Sequence, residues 1–257
     1  MNILFSPAYI EGRLVIFIFL ELNNLKLHYE VTGEGKPFIL LHGWGANLRT
    51  FDKLAKDLSG MYKVYTIDLP GFGESEIGVP LDIYEVVEVI HQFCMNLQIN
   101  CPILLGHSYG GRIAIVYASM YQVKKLILVS AAGLKQKLRI SKKIKVKVYK
   151  IFKKMHLPIK MGSSDYQNAD NVKRIMLVKA VNQDLKEEMK KITSPTFLIY
   201  GVDDKTTPIT LARQIKEYIP DAYLVELEDC GHFPYIDRPS YFTLVLMSYL
   251  IGQENTN

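Results

Sequence analysis

Two hydrophobic patterns alternate along the chain from Leu25 onward. Short apolar or β-branched runs are followed by longer stretches in which apolar residues recur at three- and four-residue spacing. The short runs predict buried strands, at Lys26–Val31, Phe38–Leu41, Val64–Ile67, Ile103–Leu105, Lys125–Val129, Thr196–Tyr200 and Tyr223–Glu228. The longer stretches predict helices, at Leu48–Leu58, Ile83–Leu97, Arg112–Tyr121, Leu211–Ile219 and Tyr241–Leu250. This alternation is typical of an α/β fold with a mostly parallel central sheet flanked by helices.

The N-terminal region carries an apolar run from Leu14 to Leu20. The run is too short to span a bilayer, which needs about 20 residues. Acidic residues on both sides and the lack of a small-x-small cleavage site argue against a signal peptide. We predict a buried strand here, with a translation start near Glu21 as the alternative. The turn sequence Thr32-Gly33-Glu34-Gly35 predicts an antiparallel hairpin at the start of the sheet.

Residues 134–191 interrupt the alternation, because no strand is predicted among them. We predict that they form a helical cap or lid, inserted into an α/β core made of residues 1–133 and 192–257. The inserted segment holds 17 Lys and Arg against 5 Asp and Glu, a net charge of +12. The rest of the chain holds 14 against 21, a net charge of −7. The predicted core is therefore acidic and the predicted cap strongly basic.

The whole composition is that of a globular protein, with 257 residues, 49% of them hydrophobic, and a net charge of +5. The 3 cysteines, Cys94, Cys101 and Cys230, show no spacing typical of a disulfide framework or a zinc site. We therefore expect a reducing compartment and a cytoplasmic protein.

A Gly-x-Ser-x-Gly pattern, Gly106-His107-Ser108-Tyr109-Gly110, lies between a predicted strand and a predicted helix. In this context the serine occupies a strained turn, and a side chain on either outer glycine would collide with neighbouring backbone. The turn exposes the Ser108 hydroxyl, and the first N–H groups of the helix point toward a developing oxyanion. We predict that Ser108 is a nucleophile.

A glycine-rich loop, Leu41-His42-Gly43-Trp44-Gly45, directly follows another predicted strand. Such a loop allows the backbone to approach a substrate closely. We assign the oxyanion hole to the backbone N–H groups of Trp44 and Tyr109. His42 is predicted to brace the loop rather than to act in catalysis.

Two further motifs follow the last two predicted strands. Cys230-Gly231-His232-Phe233-Pro234 offers a general base, and the segment from Gly201 to Pro208 offers two acids, Asp203 and Asp204. The carboxyl ends of parallel strands share one edge of the sheet, so we predict that His232 and one of these acids meet Ser108 there. Cys230 is predicted to pack, because it lacks a base of its own. The remaining histidines are predicted to be structural or exposed, namely His28, His91, His107 and His156.

These ordered motifs resemble those of the α/β-hydrolase superfamily, in its compact, cap-bearing, esterase-like branch, and the resemblance covers Leu25 to Leu250. Asp68-Leu69-Pro70-Gly71-Phe72-Gly73-Glu74-Ser75 is similar to the family's Asp-x-x-Gly-x-Gly-x-Ser turn. The family's Gly-x-x-Asp-x-x-x-Pro pattern implies that Asp204, rather than Asp203, is the acid of the triad. The order Ser, Asp, His along the chain is also that of the family.

The resemblance implies a serine hydrolase that cleaves a carboxylic ester through an acyl-enzyme, without a metal or organic cofactor. Thioesters, lactones and carbon–carbon bonds are alternatives for the same machinery. A ligand-binding protein that keeps the fold but turns nothing over is the alternative from another class. A carboxylate nucleophile, as in dehalogenases and epoxide hydrolases, is disfavoured by the serine at the elbow.

A helix is predicted within the basic segment, with Ile144, Val148, Ile151, Phe152 and Met155 on one face and lysines on the rest. The simplest interpretation is a cap helix over the pocket with solvated lysines. The charge also suits an anionic partner: a membrane surface, an acidic small substrate or an acidic carrier protein. The His-Gly-Trp-Gly loop is similar to that of esterases acting on carrier-bound esters, whereas the residues around Ser108 differ. A small acyl substrate is expected in each case, and no nucleic acid.

Overall fold

A single twisted sheet organises the chain. The computed structural model describes residues 3–10, 13–22, 25–135, 165 and 169–252. In these ranges nine strands lie in the order β1-β2-β3-β5-β4-β6-β7-β8-β9. Their bounds are β1 (Ile3–Ile10), β2 (Arg13–Leu22), β3 (Leu25–Thr32), β4 (Lys36–Leu41), β5 (Tyr62–Ile67), β6 (Ile103–His107), β7 (Lys125–Val129), β8 (Thr196–Gly201) and β9 (Ala222–Leu227). In sheet order, the pairs from β5 through β4, β6, β7 and β8 to β9 are all parallel. The pairs β1–β2, β2–β3 and β3–β5 are antiparallel.

Helices cover both faces of the sheet. They are α1 (Asp52–Leu58), α2 (Ile83–Asn96), α3 (Tyr109–Met120), α4 (Asn171–Asn182), α5 (Lys186–Met189), α6 (Ile209–Tyr218), α7 (Pro234–Asp237) and α8 (Pro239–Gly252). The buried residues of α2, α3 and α6 share one apolar cluster with one face of the sheet. Those of α1 and α8 pack against the opposite face. Strands β6 and β7 are buried along their whole length, which is typical of parallel strands covered on both sides.

The seven strands predicted from Leu25 onward and the five helices are confirmed, with ends that differ by a few residues. Strand β1 was not predicted, because its sequence contains Pro7 and lacks a regular alternation. The run Leu14–Leu20 lies within β2, as predicted, and its Leu20 is fully buried.

The predicted hairpin at Thr32–Gly35 is wrong. Strand β3 pairs with β5, with Tyr29 opposite Ile67, so β5 lies between β3 and β4. The turn does reverse the chain, because β3 runs antiparallel to β5 whereas β4 runs parallel to it, and Gly33 in the turn has a φ of +77°. It also packs on the loop that enters β5, because a Cβ on Gly33 would lie 2.4 Å from the Ser59 carbonyl oxygen. The lack of a side chain at Gly33 therefore lets the turn approach this loop closely.

The predicted cap is described in part. Residues 169–191 contain α4 and α5 and, within this range, no strand. The predicted helix that carries Ile144 and Met155 lies outside the described residues, as does His156. No described helix is both long enough and apolar enough to cross a lipid bilayer.

Candidate active site

Ser108 stands on a sharp turn between β6 and α3. Its φ of 52° and ψ of −108° lie in a region that residues with a side chain rarely adopt. A Cβ on Gly106 would lie 2.4 Å from the Gly110 carbonyl oxygen, and one on Gly110 would lie 2.2 Å from that of Leu41. Only glycine fits at either position, as the sequence predicted. The turn therefore holds Ser108 at the carboxyl edge of the sheet.

His232 joins Ser108 to Asp204. Its Nε2 lies 3.0 Å from Ser108 Oγ, and its Nδ1 lies 2.8 Å from Asp204 Oδ2. The Asp204 side chain is fully buried, whereas 17% of the His232 side chain is exposed. Because the carboxylate accepts the Nδ1–H, the neutral ring presents an unprotonated Nε2 to the serine hydroxyl. The arrangement suits proton transfer from serine to histidine.

Asp204 is held as a carboxylate by its own loop. Its Oδ1 accepts the backbone N–H groups of Thr206 and Thr207 at 2.7 and 2.9 Å, and the Thr207 hydroxyl lies 2.7 Å from Oδ2. Burial raises the pKa of Asp204, but the hydrogen bonds from His232 and Thr207 outweigh burial and lower the pKa to about 2. The neighbouring Asp203 is exposed to solvent. Geometry therefore brings Asp204, and not Asp203, to His232.

The glycine-rich loop lies against the elbow. A Cβ on Gly43 would be 3.3 Å from Ser108 Cβ, and the Gly110 N–H donates to the His42 carbonyl at 3.1 Å. Within the described ranges, the N–H groups of Trp44 and Tyr109 have no backbone acceptor. Neither amide is therefore used in a backbone hydrogen bond in these ranges, and the Tyr109 amide directly follows Ser108 in the chain.

His42 braces this loop from inside the protein. It is fully buried, its Nδ1 lies 2.8 Å from the Gly43 carbonyl oxygen, and its Nε2 accepts the Leu69 N–H at 3.0 Å. These two bonds require the proton on Nδ1. Burial lowers the pKa of His42, so the ring stays neutral. The bracing role predicted for His42 agrees with this geometry.

The Asp68–Ser75 turn is a structural motif. The buried Asp68 carboxylate accepts the N–H groups of Leu48 and Glu74 at 2.7 and 2.9 Å, and His28 Nδ1 lies 2.7 Å away. Burial raises the pKa of Asp68, but these hydrogen bonds hold it below its usual range. A Cβ on Gly73, whose φ is +52°, would lie 2.1 Å from the carboxylate. The turn thus fixes the loop that carries Phe72.

A cavity of about 450 Å³ opens beside the glycine-rich loop. Trp44 and Phe72 form its aromatic wall, with ring centroids 4.9 Å apart, and the Trp44 ring lies 5.1 Å from that of Tyr109. Asp165, Ala169 and Lys173, from the predicted cap segment, also line the cavity. The ring of Phe233 is not part of this lining and lies against the ring of His107.

The sequence profile of the α/β hydrolase fold family matches residues 36–154 and 157–239. The chain belongs to this family. It is 28% identical over 254 residues to the pimeloyl-[acyl-carrier protein] methyl ester esterase of Aliivibrio salmonicida (strain LFI1238), covering 87% of this chain and 95% of the relative. It is also 28% identical over 243 residues to Lipase 1 of Psychrobacter immobilis, covering 82% of this chain and 76% of the lipase.

A solved structure shows the same fold. The esterase EaEST from Exiguobacterium antarcticum superposes on this α/β hydrolase with a TM-score of 0.74 and 25% identity, covering 90% of this chain and 98% of that one. The predicted fold class is thereby confirmed. So is the prediction of an esterase-like serine hydrolase, since these relatives are esterases and a lipase.

The contacts of two residues beside Ser108, His232 and Asp204 were not predicted, although His107 was expected to be structural or exposed. Thr207 contacts both Asp204 and His232, and His107 bonds the His232 carbonyl. The only sequence signal for Thr207 and His107 was their proximity to a motif, which does not show whether a side chain contacts the site. Cys230 is buried, and burial raises the pKa of its thiol, which agrees with the predicted packing role. Among the described residues, no group of three or more His, Cys, Asp or Glu is placed to hold a metal ion.

Proposed function

We propose that this α/β hydrolase cleaves a carboxylic ester through an acyl-enzyme on Ser108, with His232 as general base and Asp204 as the orienting acid. The observation that carries the proposal is the continuous contact from Ser108 Oγ through the His232 ring to the buried Asp204 carboxylate. The same three groups in this relation activate serine in unrelated folds.

In the first half of the reaction, Ser108 Oγ attacks the ester carbonyl carbon while His232 Nε2 takes its proton. Asp204 holds the ring in position and stabilises the imidazolium. The carbonyl oxygen becomes an oxyanion, which accepts hydrogen bonds from the N–H groups of Trp44 and Tyr109. The loss of one such donor costs on the order of 3 kcal/mol of transition-state stabilisation.

The tetrahedral intermediate collapses when the carbon–oxygen bond to the leaving alcohol breaks. His232 gives its proton to that alcohol, and the acyl group remains on Ser108. In the second half His232 takes a proton from water, whose oxygen attacks the acyl carbon. The bond between the acyl carbon and Ser108 Oγ then breaks, and His232 returns its proton to Ser108 Oγ, so the products are the free acid and the restored Ser108 hydroxyl.

We further propose that the cavity beside Trp44 and Phe72 binds an apolar part of the substrate and that residues 134–191 form a basic cap over it. The supporting observation is that Asp165, Ala169 and Lys173 of this segment line the cavity together with Trp44. The segment carries a net charge of +12, and a relative acts on a carrier-bound methyl ester according to its name. We therefore favour an acyl ester presented by an acidic carrier protein. An anionic membrane surface and an acidic small ester are the competing partners.

A fluorophosphonate probe tests the acyl-enzyme chemistry. The wild-type protein is expected to become labelled, and Ser108→Ala is expected to remain unlabelled. A wild-type protein that resists the probe while a control esterase reacts would support the alternative of a ligand-binding protein. A further outcome is that the protein turns over a thioester, a lactone or a carbon–carbon substrate faster than matched esters. That result would change the proposed substrate class, with Ser108 still the proposed nucleophile.

Charge reversal tests the cap. The triple variant Lys143→Glu, Lys147→Glu and Lys150→Glu is expected to raise KM for a carrier-bound ester and to leave kcat/KM for a small neutral ester nearly unchanged, with the difference shrinking as salt is added. The matched control reverses Lys56, Lys124 and Lys216, which are exposed on the core. Two outcomes would contradict the proposal: the two triple variants affect KM equally, or the cap variant affects both substrates equally. Either result would show that the cap lysines are solvated residues that bind no partner.

A cytoplasmic location is proposed from the cysteines. Cys94, Cys101 and Cys230 are all free thiols, as suits a reducing compartment. Cell fractionation with thiol labelling is the test, and a disulfide in the isolated protein would contradict it.

A further inference from the structure

A buried histidine connects the elbow with both loops that complete the site. His107 precedes Ser108 at the end of β6 and has no exposed surface. The centroid of its ring lies 4.9 Å from that of His232, 4.8 Å from that of Phe233 and 5.2 Å from that of Tyr235. None of the steps proposed above uses this side chain.

The first connection is a hydrogen bond to the backbone of the catalytic histidine. His107 Nε2 lies 2.8 Å from the His232 carbonyl oxygen, across 125 residues of sequence. Because a carbonyl only accepts, the His107 proton resides on Nε2. The main chain of His232 is thus held by His107, while its ring is held by Ser108 and Asp204.

The second connection is a packing contact with the glycine-rich loop that contains Gly43. A Cβ on Gly43 would lie 2.8 Å from His107 Nδ1 and 3.1 Å from Cε1. Nδ1 is buried and has no hydrogen-bond partner among the described residues. Burial, together with the neighbouring His232, lowers the pKa of His107 to about 3, so the ring remains neutral. The loop therefore approaches a nitrogen that carries no proton.

We propose that His107 is a positioning residue that sets the separation of the His232 imidazole and the Ser108 hydroxyl and the position of the Gly43 loop beside them. The inference rests on the proposed acyl-enzyme mechanism. A misplacement of about 1 Å between reacting groups can reduce the rate on the order of 10²-fold. A bond to the main chain of the general base acts directly on that separation.

Two substitutions separate positioning from simple packing. His107→Leu keeps an apolar side chain and removes the donor, whereas His107→Gln keeps an N–H donor at a similar reach. His107→Leu is expected to lower kcat and the rate of fluorophosphonate labelling by about 30-fold, with KM changed by less than about twofold. His107→Gln is expected to recover both rates to within about fivefold of the wild type.

Several outcomes would overturn the inference. One is an equal loss of kcat and labelling rate in His107→Leu and His107→Gln, and another is a wild-type rate in His107→Leu. A third is a loss of rate that appears only where thermal unfolding of the variant overlaps the assay temperature. The failure of the proposed function looks different, because the wild-type protein itself would then resist the probe. A wild-type protein that is labelled no faster than His107→Leu overturns the role of His107 alone.

A double-mutant cycle tests the contact with the loop. Gly43→Ala presses against the His107 ring, and His107→Ala removes that ring. Gly43→Ala slows labelling by some factor in the wild type. We expect that factor to be at least about fivefold smaller in the His107→Ala background, because coupled residues show non-additive effects. Additive effects would show that the loop and the histidine are independent, which contradicts the proposed coupling.

Discussion

His232 Nε2 lies 3.0 Å from Ser108 Oγ, although 124 residues separate the two in the chain. Ser108 ends the turn after β6, and His232 follows β9 at the edge of the sheet. The contact exists because parallel strands bring their carboxyl ends to one side.

Removal of either residue of this pair should abolish most turnover. Ser108→Ala and His232→Ala are each expected to lower kcat by roughly 10⁴-fold or more, because the nucleophile and its base act as a unit. Both side chains are only partly buried, so thermal unfolding should change little. A double variant no worse than either single one would agree with joint action. Residual activity above about a tenth of the wild type would contradict the assignment.

The two adjacent aspartates provide a matched comparison. Asp204→Asn is expected to reduce kcat on the order of 10⁴-fold, because the amide no longer fixes the right tautomer of His232. Asp203→Asn should leave kcat within about twofold, since Asp203 is exposed. Steady-state kinetics on one soluble ester checks both variants. A larger loss in Asp203→Asn would reassign the acid and leave the fold unaffected.

The elbow glycine Gly110 should tolerate no side chain. Gly110→Ala would place Cβ 2.2 Å from the Leu41 carbonyl oxygen, so the backbone has to shift, at a cost of about 2 kcal/mol or more in unfolding free energy. Urea denaturation measures this cost. Gly60→Ala is the control, because no atom lies within 4 Å of its added Cβ. Equal effects of the two substitutions would contradict the tight elbow.

The depressed pKa of Asp204 predicts a stability that depends on pH. The pKa is about 2 in the folded protein, against an ordinary value of 3.8 for an aspartate. The ionised carboxylate therefore stabilises the fold above about pH 4, by at most about 2 kcal/mol, and this contribution is lost as pH falls toward 2. The difference in unfolding free energy between the wild type and Asp204→Asn should shrink over this range. A constant difference from pH 6 to pH 2.5 would refute the shift.

The cavity beside Phe72 predicts a preference for short to medium acyl chains. A panel of p-nitrophenyl esters should show faster turnover of these chains than of long ones. Phe72→Leu should shift the preference toward longer chains, on the order of tenfold in the ratio of kcat/KM values, because it enlarges the cavity. Phe93→Leu is the control, since Phe93 is fully buried away from the cavity. Preference for long chains above their solubility limit would instead indicate a lipase.

Much of the fold followed from local patterns. The alternation of strands and helices and the glycines of the elbow are encoded within short windows, where side-chain periodicity and close backbone contacts leave few alternatives. Strand β1 was missed because Pro7 interrupts its pattern. The Thr32–Gly35 turn was recognised, but its hairpin was wrong, because a turn alone does not specify which strand becomes the neighbour.

For the site, the sequence by itself determined the residue types, their order and their places after the strands: Ser108, then Asp204, then His232. It did not determine the hydrogen bond from His107 to the His232 backbone or the approach of Gly43 to the His107 ring. Those contacts depend on which strands lie side by side and on how closely their loops pack. Such distances arise from the burial of the whole sheet between its helices, and only the tertiary structure decides them.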